Sequence, residues 1–172
     1  METDILLWIH RHGPPLDLAF RASWLLGVAW FCVPLVVLAA AWHLARRERR
    51  EALAWVAMGA AAAILPELVK ALVARPRPTL WPWLIPTSGY SFPSGHAVAG
   101  TALYPFLGWL ALRPRGLGRA GYALGLAVGV FVGVGRLYVG VHWPSDVVAG
   151  WAIGTALSLA AVRWLDSPGG LL

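Results

Sequence analysis

Apolar residues fall into five long stretches along the chain, separated by short polar segments. Each stretch approaches the roughly 20 residues that a helix needs to cross the hydrocarbon core of a bilayer. The third and fourth stretches are near the short limit, so we expect tilting or local thinning of the bilayer there. The pattern predicts five spanning helices: Trp24–Leu44, Ala52–Val73, Gly95–Leu112, Gly118–Gly135 and Val147–Trp164.

The segment ahead of these stretches, Met1–Arg21, mixes apolar residues with histidines and arginines. This mixture is typical of amphipathic helices that lie in the membrane interface, and Pro14 and Pro15 predict a break within it. Glu2 and Asp4 replace the positive residues that open a cleavable signal, and the apolar run behind them is too short for one. We therefore expect an interfacial N-terminal segment.

The composition agrees with a bilayer environment. The chain is 59% hydrophobic and 13% charged, whereas a soluble domain carries about 25% charged residues. The net charge is +6, and the basic residues that produce it lie between apolar runs and not on a polar surface. This distribution argues against a nucleic-acid partner. Cys32 is the only cysteine, which excludes an intrachain disulfide. The prediction is a single all-α integral-membrane domain over residues 1–172.

The loops differ in their positive charge. Arginines are concentrated in the first loop, around Arg46–Arg50, and in the third, which holds Arg113, Arg115 and Arg119. Positive residues collect on the cytoplasmic side of a membrane. With five spans, the second and fourth loops and the N-terminus then face the periplasm or exterior. We expect a bacterial inner-membrane protein with this orientation.

Polar and charged residues of distinctive type gather where the second and fourth loops meet the spans. Lys70 lies near the end of the second span and Arg77 follows it, Ser94 opens the third span and Arg136 stands at the end of the fourth, so all must emerge on one face. Three cations near lipid require a balancing anion, and guanidinium forks fit the oxygens of phosphate. Ser94, as the N-cap of a helix, would leave backbone N–H groups aimed at such an anion. The pattern predicts a phosphate site.

Two histidines on the same face can divide the chemistry between them. His142 lies four residues before Asp146, so the carboxylate can accept a proton from one ring nitrogen and leave the other as a nucleophile. His96 can protonate the departing oxygen. Glu67, three residues before Lys70, either orients that lysine or forms a helix-packing charge pair with it.

These residues fall into three ordered motifs, Lys70-x6-Arg77-Pro78, Pro93-Ser94-Gly95-His96 and Arg136-x5-His142-x3-Asp146. Together they closely resemble the type-2 phosphatidic acid phosphatase superfamily, whose members include membrane lipid phosphatases and share their site with vanadium-dependent haloperoxidases. The resemblance covers about Ala52 to Trp164, and hydropathy excludes a soluble haloperoxidase.

The resemblance implies that His142 becomes a phosphohistidine, that Asp146 orients it and that His96 is the acid, with neither metal nor cofactor. It implies that the phosphate is held by Lys70, Arg77, Ser94, Gly95 and Arg136, and Pro78 and Pro93 support these motifs. The implied activity is hydrolysis of a phosphomonoester or diphosphate on a membrane lipid. Candidate lipids are undecaprenyl diphosphate, phosphatidic acid and phosphatidylglycerol phosphate.

Two features depart from the family pattern. Gly135 stands where the family has serine, which removes one phosphate hydrogen bond worth about 0.5–1.5 kcal/mol. Many members have six spans, against the five predicted here. The motifs leave open a lipid phosphotransferase, which would pass phosphate to another lipid, and a non-catalytic membrane scaffold. They do not indicate the oligomeric state.

Overall fold

The computed structural model describes residues 1–167, and their regular structure is helical throughout, as predicted. The last five residues of the predicted domain lie outside this range. Short 3-10 segments occur at Pro14–Leu16, Ser23–Gly27 and Arg113–Arg115. The α-helices are α1 Glu2–His12, α2 Asp17–Ala22, α3 Ala29–Ala45, α4 Arg49–Val73, α5 Gly95–Leu112, α6 Gly118–Tyr138 and α7 Pro144–Asp166.

Helix α5 lies at the centre of the bundle and packs most extensively against α6 and α7. Small residues make the contact with α6 very close, because Gly100 faces Gly129 and Gly108 faces Gly121 backbone to backbone. Helices in a membrane associate mainly through such van der Waals contacts, since the lipid tails provide little hydrophobic driving force. This contact places the N-terminus of α5 beside the C-terminus of α6, where the predicted chemistry lies.

The glycine contact predicts a specific loss of stability. A Cβ added at Gly108 would overlap the carbonyl group of Gly121, so Gly108→Ala should destabilise the fold by about 1–3 kcal/mol. In a chain of this size the thermal midpoint shifts by roughly 2–4 °C for each kcal/mol. Thermal unfolding in detergent measures the effect. Gly95→Ala is the control, because its added Cβ would meet nothing closer than 3.8 Å; equal midpoints for the two variants would contradict the prediction.

The first predicted span, Trp24–Leu44, is not one continuous helix, and here the structure corrects the sequence-based prediction. The 3-10 segment ends at Gly27, Val28 is extended, and α3 then continues at an angle of 53° to the preceding segment. The carbonyl oxygen of Leu26 accepts a hydrogen bond from Tyr104 Oη on α5 (2.5 Å), which holds the break against the bundle.

Within residues 1–167, three helices, α4, α6 and α7, are long and apolar enough to cross a membrane. The bent pair Pro14–Gly27 and Ala29–Ala45 raises this number to four if it forms one span. Helix α5 has the predicted bounds but is not among these candidates. Most of its surface is covered by neighbouring helices, so it presents little to lipid. The chain is an all-helical integral-membrane protein.

The N-terminal segment breaks where the prolines predict, between α1 and α2. Helix α1 packs against α6 and α7, and its Leu6 is fully buried in a cluster with Leu137 and Val147. One face of α1 is therefore part of the protein core at the end of the bundle that carries the predicted site.

Candidate active site

Side chains from five segments, three helices and two loops, converge on one cavity of about 760 Å³. Lys70 comes from the end of α4, His96 from the first turn of α5 and Arg136 from the last turn of α6, while Arg77 and His142 come from the two adjoining loops. These five residues are all among the catalytic and phosphate-binding residues predicted from the sequence. The convergence that the topology predicts on one face is therefore present as a shared cavity.

His142 is 4% exposed and stands between a carboxylate and a guanidinium. Its Nδ1 lies 3.4 Å from Asp146 Oδ2, which is ion-pair distance, although the atom has no hydrogen bond of good geometry. Its Nε2 lies 3.3 Å from Arg77 Nη1 at the cavity wall. Burial outweighs the nearby carboxylate and lowers the pKa of His142 to about 4. The ring is therefore neutral at pH 7 and offers a lone pair.

Asp146 is fully buried in the first turn of α7, where Pro144 opens the helix. Its Oδ2 accepts a hydrogen bond from the backbone N–H of Trp143 (2.8 Å), and its Oδ1 accepts one from Arg75 Nη1 (2.7 Å). The predicted partner of His142 is thus beside it, but its two shortest hydrogen bonds go elsewhere. These bonds hold the carboxylate still next to the imidazole.

Most N–H groups of the Arg77 guanidinium are engaged by backbone carbonyl oxygens. Its Nε donates to Gly89 O, its Nη2 donates to Ser88 O and Tyr90 O, and its Nη1 donates to Val141 O (2.7 Å). Arg77 therefore ties the loop after α4 to the loop after α6. The remaining N–H on Nη1 is the one directed at His142 Nε2.

Several other buried polar atoms near the cavity have no hydrogen-bond partner among residues 1–167. They include Arg136 Nε and Nη2, His96 Nε2 and Ser94 Oγ, and Arg136 is only 1% exposed. Buried polar groups in folded proteins nearly always have a partner, so a cluster of orphans calls for an explanation. Ser94 occupies the N-cap of α5 as predicted, yet its hydroxyl makes no capping bond, while its backbone N–H donates to Asp146 O.

Lys70 and Glu67 form the predicted pair on one face of α4. Lys70 Nζ donates to Glu67 Oε1 at 2.6 Å, and both residues line the cavity. Gly95 lines it as well, and its Cα lies close to Lys70, since a Cβ there would be 3.8 Å from Nζ. A larger residue at 95 would project toward the lysine.

The fold and the motifs lead to one family. The PAP2 superfamily matches residues 51–168, which is most of the chain. This chain belongs to the PAP2 superfamily.

Similar proteins include PAP2 enzymes from bacteria and archaea. The chain is 29% identical over 136 residues to phosphatidylglycerophosphatase B of Bacillus subtilis, covering 77% of this chain and 66% of that protein. It is 33% identical over 136 residues to undecaprenyl-diphosphatase of Sulfolobus acidocaldarius, covering 72% and 59%. The matches thus span no more than about two thirds of these relatives' own lengths.

A solved structure has the same arrangement of helices. The crystal structure of a transmembrane PAP2 type phosphatidylglycerolphosphate phosphatase from Bacillus subtilis superimposes with a TM-score of 0.78 at 27% identity. The superposition covers 89% of this chain and 78% of that one.

The departure from the PAP2 pattern at Gly135 has a steric explanation. A Cβ at this position would overlap Ser23 Oγ and approach Phe20 O to 3.1 Å, so it would point at the N-terminal segment. Gly135 is not among the residues that line the cavity. The glycine lets the 3-10 segment pack against α6.

The two prolines of the PAP2 motifs stand beside the cavity and not in its wall. Pro78 accepts a hydrogen bond from Trp83 Nε1 at its carbonyl (2.8 Å), and Pro93 directly precedes the N-cap of α5. Both therefore belong to the loop that carries the motif residues.

Two residues at this place were not assigned a role from the sequence. Arg75 hydrogen-bonds Asp146, and Glu2 of α1 hydrogen-bonds Arg75 (2.7 Å). Arg75 stands in the same arginine–proline run as Arg77, which was the available signal. Nothing in the sequence indicated Glu2, because its partners are more than 70 residues away.

Proposed function

We propose that this chain is a lipid phosphatase, hydrolysing a phosphomonoester or diphosphate of a membrane lipid through a phosphohistidine on His142. The observation that carries the proposal is the set of buried nitrogen and oxygen atoms of Arg136, His96 and Ser94 that have no partner within residues 1–167 and lie near the neutral ring of His142. A phosphate group supplies the missing acceptors and the missing negative charge together. PAP2 relatives named as lipid phosphatases support the same conclusion.

The rest of the cavity supports an amphiphilic substrate. Away from the charged end it is lined by apolar side chains of α3 and α4, and on α3 the lining extends from Ala29 to Val37. At a rise of 1.5 Å per residue this wall is about 12 Å long. A cavity with a charged end and an apolar channel suits a phosphate head followed by a hydrocarbon chain.

The reaction would proceed in two displacements. His142 Nε2 attacks phosphorus and forms the N–P bond while the P–O bond to the lipid breaks, and His96 gives its proton to the departing oxygen. The negative charge of the bound phosphate favours the protonated form of His96 that this step needs. Water then attacks phosphorus, His96 takes a proton from that water, and the N–P bond breaks to release inorganic phosphate.

The phosphate would be held mainly by Lys70, Arg136 and the N-terminus of α5 at Ser94 and Gly95. These groups stabilise the charge on the equatorial oxygens in the transition state. Arg77 would contribute its remaining Nη1 N–H, while its other bonds hold the surrounding loops. Glu67 would orient Lys70, and Asp146 would orient His142 and stabilise its charged form during the reaction.

The proposal includes a topology. One phosphatase domain over residues 1–172, with its motifs in 52–164, would cross the inner membrane of a bacterium five times. The bent segment and α3 would form the first span, and α1 would lie in the interface. The arginine-rich loops would be cytoplasmic and the cavity periplasmic. Labelling of single cysteines at positions 47 and 88 from either side tests this, and a label reaching both from the same side would contradict it.

The function is tested by a panel of lipid phosphates in detergent, scored by inorganic phosphate release with His142→Ala as control. The panel comprises undecaprenyl diphosphate, phosphatidic acid and phosphatidylglycerol phosphate. We expect release from at least one of them, dependent on His142. No release from any lipid would contradict the proposal. Transfer of labelled phosphate to a second lipid, in place of release to water, would show a phosphotransferase instead.

Metal independence is a linked prediction. Lys70, Arg77 and Arg136 line the cavity and would balance the charge of a bound phosphate without a divalent cation. In residues 1–167, no three His, Cys, Asp or Glu side chains group closely enough to hold a metal ion. Phosphate release should therefore be unchanged by EDTA. Loss of activity that a divalent ion restores would contradict this mechanism.

A further inference from the structure

Arg75 lies behind the carboxylate of Asp146 and, unlike Arg77 and Arg136, does not line the cavity. Its Nη1 donates to Asp146 Oδ1 (2.7 Å) and to Ser145 Oγ (2.6 Å), and its guanidinium lies 5.4 Å from the ring centre of Trp143. All three partners belong to the short stretch that opens α7. Arg75 therefore connects the loop after α4 to the turn that bears the proposed nucleophile.

The N-terminal helix completes this connection. Glu2 Oε2 accepts from Arg75 Nη2 (2.7 Å), and Glu2 Oε1 accepts from both the backbone N–H (3.0 Å) and the hydroxyl (2.7 Å) of Ser145. Burial raises the pKa of Glu2, but the hydrogen bonds from Ser145 and Arg75 outweigh it and leave the pKa below its ordinary value. Glu2 is thus a carboxylate at neutral pH, and it bridges Arg75 and α7.

We propose that Arg75 is a positioning residue for the phosphatase reaction and that Glu2 holds it in place, so that helix α1 is part of the device that orients His142. The proposal rests on the function proposed above. The chain of contacts runs from Glu2 through Arg75 to Asp146 and ends at His142, and it joins three segments that are far apart in sequence.

The physical argument concerns the rotation of one carboxylate. Asp146 has no exposed surface, and its two oxygens are held separately, one by Arg75 and the other by the Trp143 N–H. With one oxygen freed, the carboxylate can turn about its Cβ–Cγ bond and leave the place 3.4 Å from His142 Nδ1. The imidazole then loses the group that selects its tautomer and stabilises its charged form.

The test compares Arg75→Met with wild-type protein on each panel lipid that the wild type hydrolyses. Partners one layer behind a reacting group are typically worth about 10- to 100-fold, so we expect kcat to fall by that factor while KM stays within about threefold. Guanidinium chloride, added well below denaturing concentrations, should restore part of kcat. Arg75→Lys retains the charge but not the forked guanidinium, so its kcat should lie between those of Arg75→Met and the wild type.

Arg21→Met is the matched control, because Arg21 also pairs with an aspartate, Asp17 (2.8 Å), but does not contact Asp146. It should retain wild-type kcat and show no response to guanidinium. If Arg75→Met does not fold, Glu2→Gln is the deciding test. This variant removes the charge of the carboxylate that contacts Arg75 and Ser145, and it should lower kcat several-fold at unchanged KM.

Some results would overturn the positioning role while leaving the phosphatase intact. The first is a wild-type kcat in both Arg75→Met and Glu2→Gln. The second is a change in KM without a change in kcat, and the third is a folded Arg75→Met protein whose kcat guanidinium does not restore. In each case His142→Ala would still be inactive. Failure of the wild-type protein on every panel lipid would instead contradict the function itself.

Discussion

Replacing His142 with alanine should reduce phosphate release by about 10⁶-fold, to the background of the assay. The expected loss is large because both displacements of the proposed mechanism use the same nitrogen of His142 as nucleophile and leaving group. The fold should survive, since His142 is a neutral ring without a well-formed side-chain hydrogen bond to Asp146. Single-turnover and steady-state phosphate release measure the loss, with thermal unfolding as the check on folding.

His12→Ala is the matched control for this variant. His12 is exposed on α1, and its Nδ1 lies 2.8 Å from Trp8 O, away from the cavity. It should turn over lipid phosphate at the wild-type rate. Acid-labile, base-stable labelling of the wild-type protein by a labelled donor, absent from His142→Ala, would identify the phosphohistidine. Turnover by folded His142→Ala at more than about a hundredth of the wild-type rate would exclude this mechanism.

Replacing His96 with glutamine should produce a loss that depends on the leaving group. General acid catalysis contributes about 10²- to 10⁴-fold, so hydrolysis of an alkyl phosphate lipid should fall by that factor. Nitrophenolate leaves a nitrophenyl phosphate without needing a proton, so the first displacement with this substrate should be nearly unaffected. Because His96 also serves as the base in the second displacement, this substrate should give a burst of one nitrophenol per enzyme molecule and then slow turnover.

Rapid mixing of His96→Gln with nitrophenyl phosphate, compared with phosphatidic acid, provides the measurement. The control is Lys70→Met, which removes one charge of the proposed phosphate site and should weaken the binding of both substrates alike. Equal losses for both leaving groups in His96→Gln, with no burst, would assign His96 a binding role. The ring also fills space, because it packs against Gly27 closely enough that a Cβ there would lie 2.5 Å from His96 Cδ2.

Much of the architecture could be predicted from local signals. Helices α4 and α5 end at the predicted residues, Val73 and Leu112, and α5 begins at the predicted Gly95. Apolar length predicts where helices run, and prolines and glycines predict where they stop. The bend at Val28 was not predictable, because it depends on a hydrogen bond from Tyr104, which is 78 residues away from its acceptor Leu26.

The sequence by itself determined the all-helical membrane fold and the set of chemical groups. Apolar stretches of bilayer length permit only backbone-satisfied helices, and the motif residues stand at the ends of those helices. This was enough to predict that Lys70, His96, Arg136 and His142 share one face, and they line one cavity.

Only the tertiary structure decided what each polar group is bonded to. It engaged Arg77 with backbone carbonyl oxygens and left Nε and Nη2 of Arg136 without a partner in the described part of the chain. It also placed Arg75 and Glu2 behind Asp146. Sequence spacing specifies which helix end a side chain occupies, but a hydrogen bond requires its two atoms to lie within about 3 Å at a suitable angle. That condition is set by how helices pack across the bundle, where the partners are distant in the chain.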